Sequence, residues 1–177
     1  LVTDSANSAS AYATGHKSVV NAMGVYEDST KDPFDDPKVE NISEIAKRTR
    51  GMSVGLVTTA ESTDATPAAM IGHTRRRANQ DYLAKDYLED YHRPDVILGG
   101  GSSRYIPKTL PGSKRKDNVN VIEEFKKKGY TFVSTGAELA KAPSDKPILG
   151  LFHTSTMNVY IDLSLIHISE PTRRYAI

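Results

Sequence analysis

The chain has 177 residues, enough for one domain with a core of its own. Its 23 Lys and Arg nearly cancel its 22 Asp and Glu, which leaves no electrostatic ground for a nucleic-acid partner. The absence of cysteine excludes disulfides and thiolate metal sites, and no stretch is apolar and long enough to span a bilayer.

In chain order, "LVTDSANSAS" runs two β-prone residues into Asp4-Ser5 and then into small residues, the pattern of a strand turning into a helix. Helix-compatible residues continue to about Ala22, with a break near Gly15. "GVYEDSTKDPFDDPKVE" is polar, carries two prolines and reads as a surface loop. "NISEIAKRTRG" predicts a helix with Asn41 as N-cap, Glu44 as its capping-box partner and Gly51 as the stop. "MSVGLVTTA" predicts a buried strand, and "ESTDATPAAMIGHTRRRAN" a loop followed by a helix with Pro67 at its first position. Then come a helix ("DYLAKDYLEDYH"), a strand ending in glycines ("DVILGGG"), an amphipathic helix ending at Gly129 ("NVNVIEEFKKKG"), a strand ("YTFVS"), a short helix ("GAELAKA") and a last strand ("PILGLF"). This alternation predicts an α/β domain with a mainly parallel sheet and helices on both faces. Ligands of such folds sit beyond the carboxyl ends of the strands, where "LVTDS", "GLVTTAESTDAT" and "VILGGG" end.

Four stretches carry possible chemistry. Ser5 at a helix N-terminus is placed either as a nucleophile beside backbone donors or, more plainly, as a helix cap. Glu61, Asp64 and Thr66 put hard oxygen donors within six residues, suited to Mg²⁺; the plainer alternative makes Thr66 the cap of the Pro67 helix. In "HTRRRAN" the three arginines face different ways, so at most one or two enter a common site, where a guanidinium would grip a phosphoryl group. "VILGGGSSR" lacks the Lys-Ser/Thr ending of a phosphate loop and reads as a tight turn. "GSKRKD" reads as a solvated basic loop. The five histidines are scattered, with no His-x-x-x-His or His-Glu pair, so no complete zinc constellation is expected in this chain.

Together, "TDSANSASAYATGHKS", "VGLVTTAESTDATPAAMIGHTRRRAN", "DVILGGG", "EFKKKGYTFVSTGAEL" and "ILGLFHTSTMNVYID" resemble the alkaline phosphatase family, in order, over roughly residues 1–162. The resemblance implies a three-layer α/β/α fold with a mainly parallel sheet, here incomplete. It implies hydrolysis of small phosphate monoesters through a phosphoserine intermediate, with two Zn²⁺ and one Mg²⁺. By position, Ser5 matches the nucleophile and Asp4 the carboxylate that orients the phosphate-binding arginine. Thr66 matches a Mg²⁺ ligand, Asp64 a residue reaching that Mg²⁺ through water, and Arg77 the phosphate-gripping arginine; Arg75 and Arg76 fall out of register. The family's other zinc ligands match no position of this sequence. The resemblance also implies a homodimeric parent that is periplasmic or secreted. Two other readings stand beside it: a related phosphodiesterase or sulfatase, and a non-enzymatic phosphate-binding α/β module.

The last fifteen residues change character. "LSLIHISEPTR" is what a transposase-type sequencing adapter gives when translated, eleven codons in register, so residues 163–177 are expected to be a non-native tail outside the domain of 1–162. On that expectation the chain is an internal gene fragment, inactive by itself.

Overall fold

A computed structural model describes residues 2–158. The predicted tail of 163–177 and its boundary at 162 lie outside the described residues. Among the described residues, six α-helices and four strands follow in the order α1 (Ser5–Thr14), α2 (Ile42–Arg50), β1 (Gly55–Glu61), α3 (Ala65–Ala68), α4 (Gln80–Asp86), β2 (Val96–Gly100), α5 (Val121–Lys127), β3 (Thr131–Val133), α6 (Gly136–Leu139) and β4 (Ile148–Leu151). The strands form one all-parallel sheet in the order β1-β2-β4-β3, so the fold is α/β as the alternation predicts. β4 inserts between β2 and β3, with Ile97 opposite Leu149 and Phe132 on the other side of Leu149.

Local chemistry explains the element ends. Asn41 caps α2 by accepting from the backbone of Ser43 and Glu44, and the Glu44 side chain answers the Asn41 N–H, the predicted capping box. Gly51 stops α2 in the left-handed region at φ 58°, as Gly15 stops α1 at φ 73°. Around the sheet, Ile97, Leu149, Tyr105, Val121 and Phe125 are fully buried. The Tyr105 hydroxyl lies 2.8 Å from Ser62 Oγ, and Tyr87 Oη donates to the Ser62 carbonyl at 2.9 Å, so these buried hydroxyls are satisfied. Ala6, Ala9 and Ala13 face inward on α1, which packs on α3 through Ala65 and Ala68; the small side chains let the two backbones approach.

Several expectations need correction. β1 starts at Gly55 and is only half buried: Leu56 faces the core while Val57 is 71% exposed. The helix expected after "DATP" closes after four residues. Asp64, not Thr66, is its N-cap, and Pro67 stands third rather than first. The chain then turns at Gly72, where a Cβ would collide with Leu83, and Thr74 joins Met23 in an antiparallel bridge that replaces helical bonding. α4 stops at Asp86, short of the expected "LEDYH". The glycine run is not all turn: Gly99 and Gly100 end β2, where a Cβ on Gly100 would strike the Ser155 carbonyl, and Gly101 alone leaves the strand, at φ 92°. "GSKRKD" is not merely solvated. Arg115 is buried, pairs with Asp117 at 2.7 Å and donates to the carbonyls of Asp81 and Arg104. No described helix is long and apolar enough to cross a membrane.

Candidate active site

α1 begins where the chain has just been capped by Asp4. The Asp4 carboxylate accepts from Asn7 N at 3.1 Å and the Asn7 side chain accepts from Asp4 N at 3.0 Å. The cap alternative for Ser5 is therefore not realised. Ser5 is the first helical residue, exposed, with its hydroxyl at the positive end of a ten-residue helix. Asp4 Oδ1 also accepts from Asn21 N at 3.1 Å, and Asn21 holds a left-handed backbone at φ 73°. Its carbonyl in turn accepts from Arg77 N at 2.8 Å. With the Met23–Thr74 bridge, these bonds fasten the arginine segment alongside the start of α1.

Arg77 then gathers the site. Nη1 donates to Ser5 Oγ at 2.7 Å and to Asp4 Oδ2 at 3.3 Å, and Nη2 donates to Asp64 Oδ1 at 3.0 Å. Ser5 and Arg77 are separated by 72 residues, so tertiary structure alone makes this contact. Asp64 is positioned by its cap bond to Ala65 N at 2.8 Å, just beyond the carboxyl end of β1. The Arg77 side chain is 32% exposed. Its Nε and one Nη2 hydrogen have no protein partner among the described residues, so they face a solvent-open site.

Electrostatics follow from this geometry. Burial acts to raise the Asp4 pKa, but the N–H groups of Asn7 and Asn21 and the Arg77 guanidinium outweigh it, so Asp4 sits below the ordinary carboxylate value. Asp4 is thus held as an anion that orients the guanidinium. A cation 2.7 Å from Ser5 Oγ favours negative charge on that oxygen, as does the helix end. An oxygen nucleophile, an oriented guanidinium and an adjacent carboxylate are the parts needed to bind and attack a phosphoryl group.

Of the residues singled out from the sequence, Asp4, Ser5, Asp64 and Arg77 come together. Thr66 lies exposed on α3, two positions from Asp64, and makes no hydrogen bond to the other four among the described residues. Glu61 does not join them: Lys114 Nζ lies 2.9 Å and Arg104 Nε 3.5 Å from its carboxylate. Arg75 turns away, with Nε bonded to both Asp36 oxygens at 2.8 and 2.9 Å. Sequence spacing missed a second polar cluster, in which Glu44, His73 and His92 meet in the interior. The intervals of 29 and 19 residues between them carry no helical or strand period, so only the fold reveals it.

The chain as a whole is similar to known proteins. Residues 1–168 match the alkaline phosphatase family. Alkaline phosphatase 4 of Bacillus subtilis is 41% identical over 155 residues, covering 85% of this chain and 30% of that protein. The alkaline phosphatase of Escherichia coli K12 is 34% identical, covering 89% of this chain and 36% of that one. Among solved structures, the alkaline phosphatase of the Antarctic bacterium TAB5 superposes with a TM-score of 0.75 at 28% identity, over 93% of this chain and 47% of that one. A variant of the TAB5 enzyme with Mg bound in its M3 site superposes at 0.72 and 30% identity, over 89% of this chain and 41% of that one. The chain thus spans about a third of the length of the curated relatives it matches. Motif order, the all-parallel sheet and the matched span agree: the chain belongs to the alkaline phosphatase family.

Proposed function

We propose that the protein carrying this segment hydrolyses phosphate monoesters with Ser5 as nucleophile. The observation that carries the reading is the Arg77 guanidinium, which donates at once to Ser5 Oγ, Asp4 and Asp64. A substrate phosphoryl group enters in front of Ser5 Oγ, and the uncommitted Arg77 donors hold its oxygens. The Oγ–P bond forms as the P–O bond to the leaving alcohol breaks, and water then cleaves the phosphoseryl ester. Asp4 keeps Arg77 aimed through both steps, and the N-terminus of α1 stabilises charge on Oγ.

Metal ions enter the proposal with unequal support. Half-buried Asp64 and exposed Thr66, two positions apart, offer hard oxygens, and Asp64 Oδ2 has no partner among the described residues, a donor set that fits Mg²⁺. In the TAB5 variant Mg occupies the M3 site; we assign Thr66 directly, and Asp64 through water, to the equivalent ion here. The two Zn²⁺ fit less well. No histidine and no carboxylate other than Asp4 and Asp64 is hydrogen-bonded to the Ser5–Arg77 cluster among the described residues. Metals held there by further residues would supply positive charge for phosphoryl transfer. The 177-residue chain alone is therefore expected not to turn over substrate. A homodimeric, exported parent acting on small phosphomonoesters belongs to the same proposal and rests on the family.

The test is p-nitrophenyl phosphate turnover by the full-length protein carrying this segment. We expect metal-dependent activity that Ser5→Ala abolishes. Full activity in Ser5→Ala would overturn the reading.

A further inference from the structure

The buried Glu44–His73–His92 cluster has no part in the chemistry proposed for Ser5. Glu44 belongs to the first turn of α2, His73 to the turn after α3, and His92 to the segment leading into β2. All three are buried, with both imidazole side chains at 0% exposure. Each ring has one nitrogen committed to a backbone carbonyl: His73 Nδ1 to Gly24 O at 2.7 Å, and His92 Nε2 to Asp86 O at 2.5 Å. A carbonyl only accepts, so those two nitrogens carry the protons. In the neutral rings, His73 Nε2 and His92 Nδ1 are then lone pairs.

Both lone pairs face one carboxylate oxygen. Glu44 Oε1 lies 3.1 Å from His73 Nε2 and 3.9 Å from His92 Nδ1. The other oxygen, Oε2, is occupied by the Asn41 N–H at 2.7 Å, which fixes the carboxylate and leaves Oε1 directed inward. An extra proton on His73 would satisfy only the shorter contact, and His92 Nδ1 has no hydrogen-bond partner. A buried acceptor left unpaired is costly, and three acceptors converging without a donor are more so. The surrounding charge points the same way: Asp86 is buried beside His92 and His73, and among the described residues Lys38, 3.6 Å from Asp86, is the cation facing the cluster. Glu44 and Asp86 against Lys38 leave one net negative charge.

A single dication resolves all of this. The three ligand atoms lie within 4.8 Å of one another. Metal–ligand bonds of about 2.0–2.2 Å in tetrahedral geometry set ligand atoms roughly 3.3–3.6 Å apart, between the two shorter separations observed. Imidazoles that donate their far N–H to a backbone carbonyl are arranged as metal-ligating histidines usually are. Two imidazoles and one carboxylate suit a borderline ion such as Zn²⁺. We propose that Glu44, His73 and His92 form a metal site of their own, taking Zn²⁺ in a structural role, separate from the Ser5–Arg77 cluster. The ion clamps α2 and the approach to β2 onto the turn that leads, four residues later, to Arg77. This inference stands on the cluster's own geometry and does not depend on the phosphatase reading.

Cobalt(II) titration of the purified 177-residue chain, followed by tetrahedral visible absorption and zinc displacement, tests it. One equivalent is expected, with affinity reduced at least about tenfold in Glu44→Gln and in His92→Gln and unchanged in Asp64→Asn. Zinc-edge X-ray absorption of the unmodified chain decides the matter even where a variant fails to fold: two imidazole ligands are expected. A chain that is unfolded until one equivalent of zinc is added supports the same site. A chain that zinc neither binds nor folds, a zinc ion with fewer than two imidazoles, or binding lost in Asp64→Asn and kept in His92→Gln overturns it.

Discussion

His73 and Arg77 lie four residues apart and anchor clusters of opposite character. Arg77 reaches toward solvent, is shared by one hydroxyl and two carboxylates, and leaves donors uncommitted. His73 is sealed in the interior, is held by the Gly24 carbonyl, turns its other nitrogen toward the Glu44 carboxylate, and stands beside an imidazole nitrogen with nothing to bond. The first arrangement suits a transient anionic ligand, because an open guanidinium exchanges partners cheaply. The second suits a permanent occupant, because every atom around it is fixed. The short turn between them is tied to Met23 and Asn21, whose backbone bonds fix where Thr74 and Arg77 sit.

Substitutions sharpen the contrast. Ser5→Ala in the full-length protein should remove covalent catalysis, lowering kcat by on the order of 10³-fold or more with little change in unfolding free energy. His73→Ala should do the reverse in the first instance. It leaves the Gly24 carbonyl unpaired and a void where the buried ring stood, and urea denaturation should show a loss on the order of 2–5 kcal/mol. Arg77→Lys keeps the charge but not the forked donors, and kcat/KM should fall by roughly 10²-fold while the chain stays folded. If His73→Ala proves neutral in stability and Arg77→Lys proves strongly destabilising, the division of labour drawn here is wrong.

Smaller effects locate the boundary between the two regions. Asn41→Ala removes the side-chain cap of α2 but keeps the backbone N–H that holds Glu44; about 1 kcal/mol is expected from the lost cap. Asp4 is held below its ordinary pKa, so its stabilising contribution is complete above the unfolded value of about 4 and is lost as pH falls through the lower folded value. Acid unfolding followed by circular dichroism should therefore show a shallower acid limb in Asp4→Asn than in the unmodified chain.

The sequence was informative where structure is local. The capping box of Asn41 and Glu44, the stop at Gly51 and the strand ending in glycines each depend on residues a few positions apart. The candidate site was legible for a different reason: Ser5, Asp64 and Arg77 sit in motifs whose order matches a family, and the fold places them in contact. Competition between neighbours for one role was not legible. Asp4 displaced Ser5 as cap of α1, and Asp64 displaced Thr66 as cap of α3, because a carboxylate one or two positions earlier reached the free N–H groups first. Partners far apart in the chain were equally hidden. Nothing near Glu61 announces Lys114, nothing near Arg75 announces Asp36, and the meeting of Glu44, His73 and His92 spans three elements.

The central claim is that Ser5, gripped by Arg77, attacks phosphorus. Acid quenching of the full-length protein during turnover of a phosphate monoester, followed by peptide mass spectrometry, tests it most directly. The account predicts phosphate on Ser5, absent in Ser5→Ala. Sustained turnover with Ser5 unmodified and dispensable would contradict it.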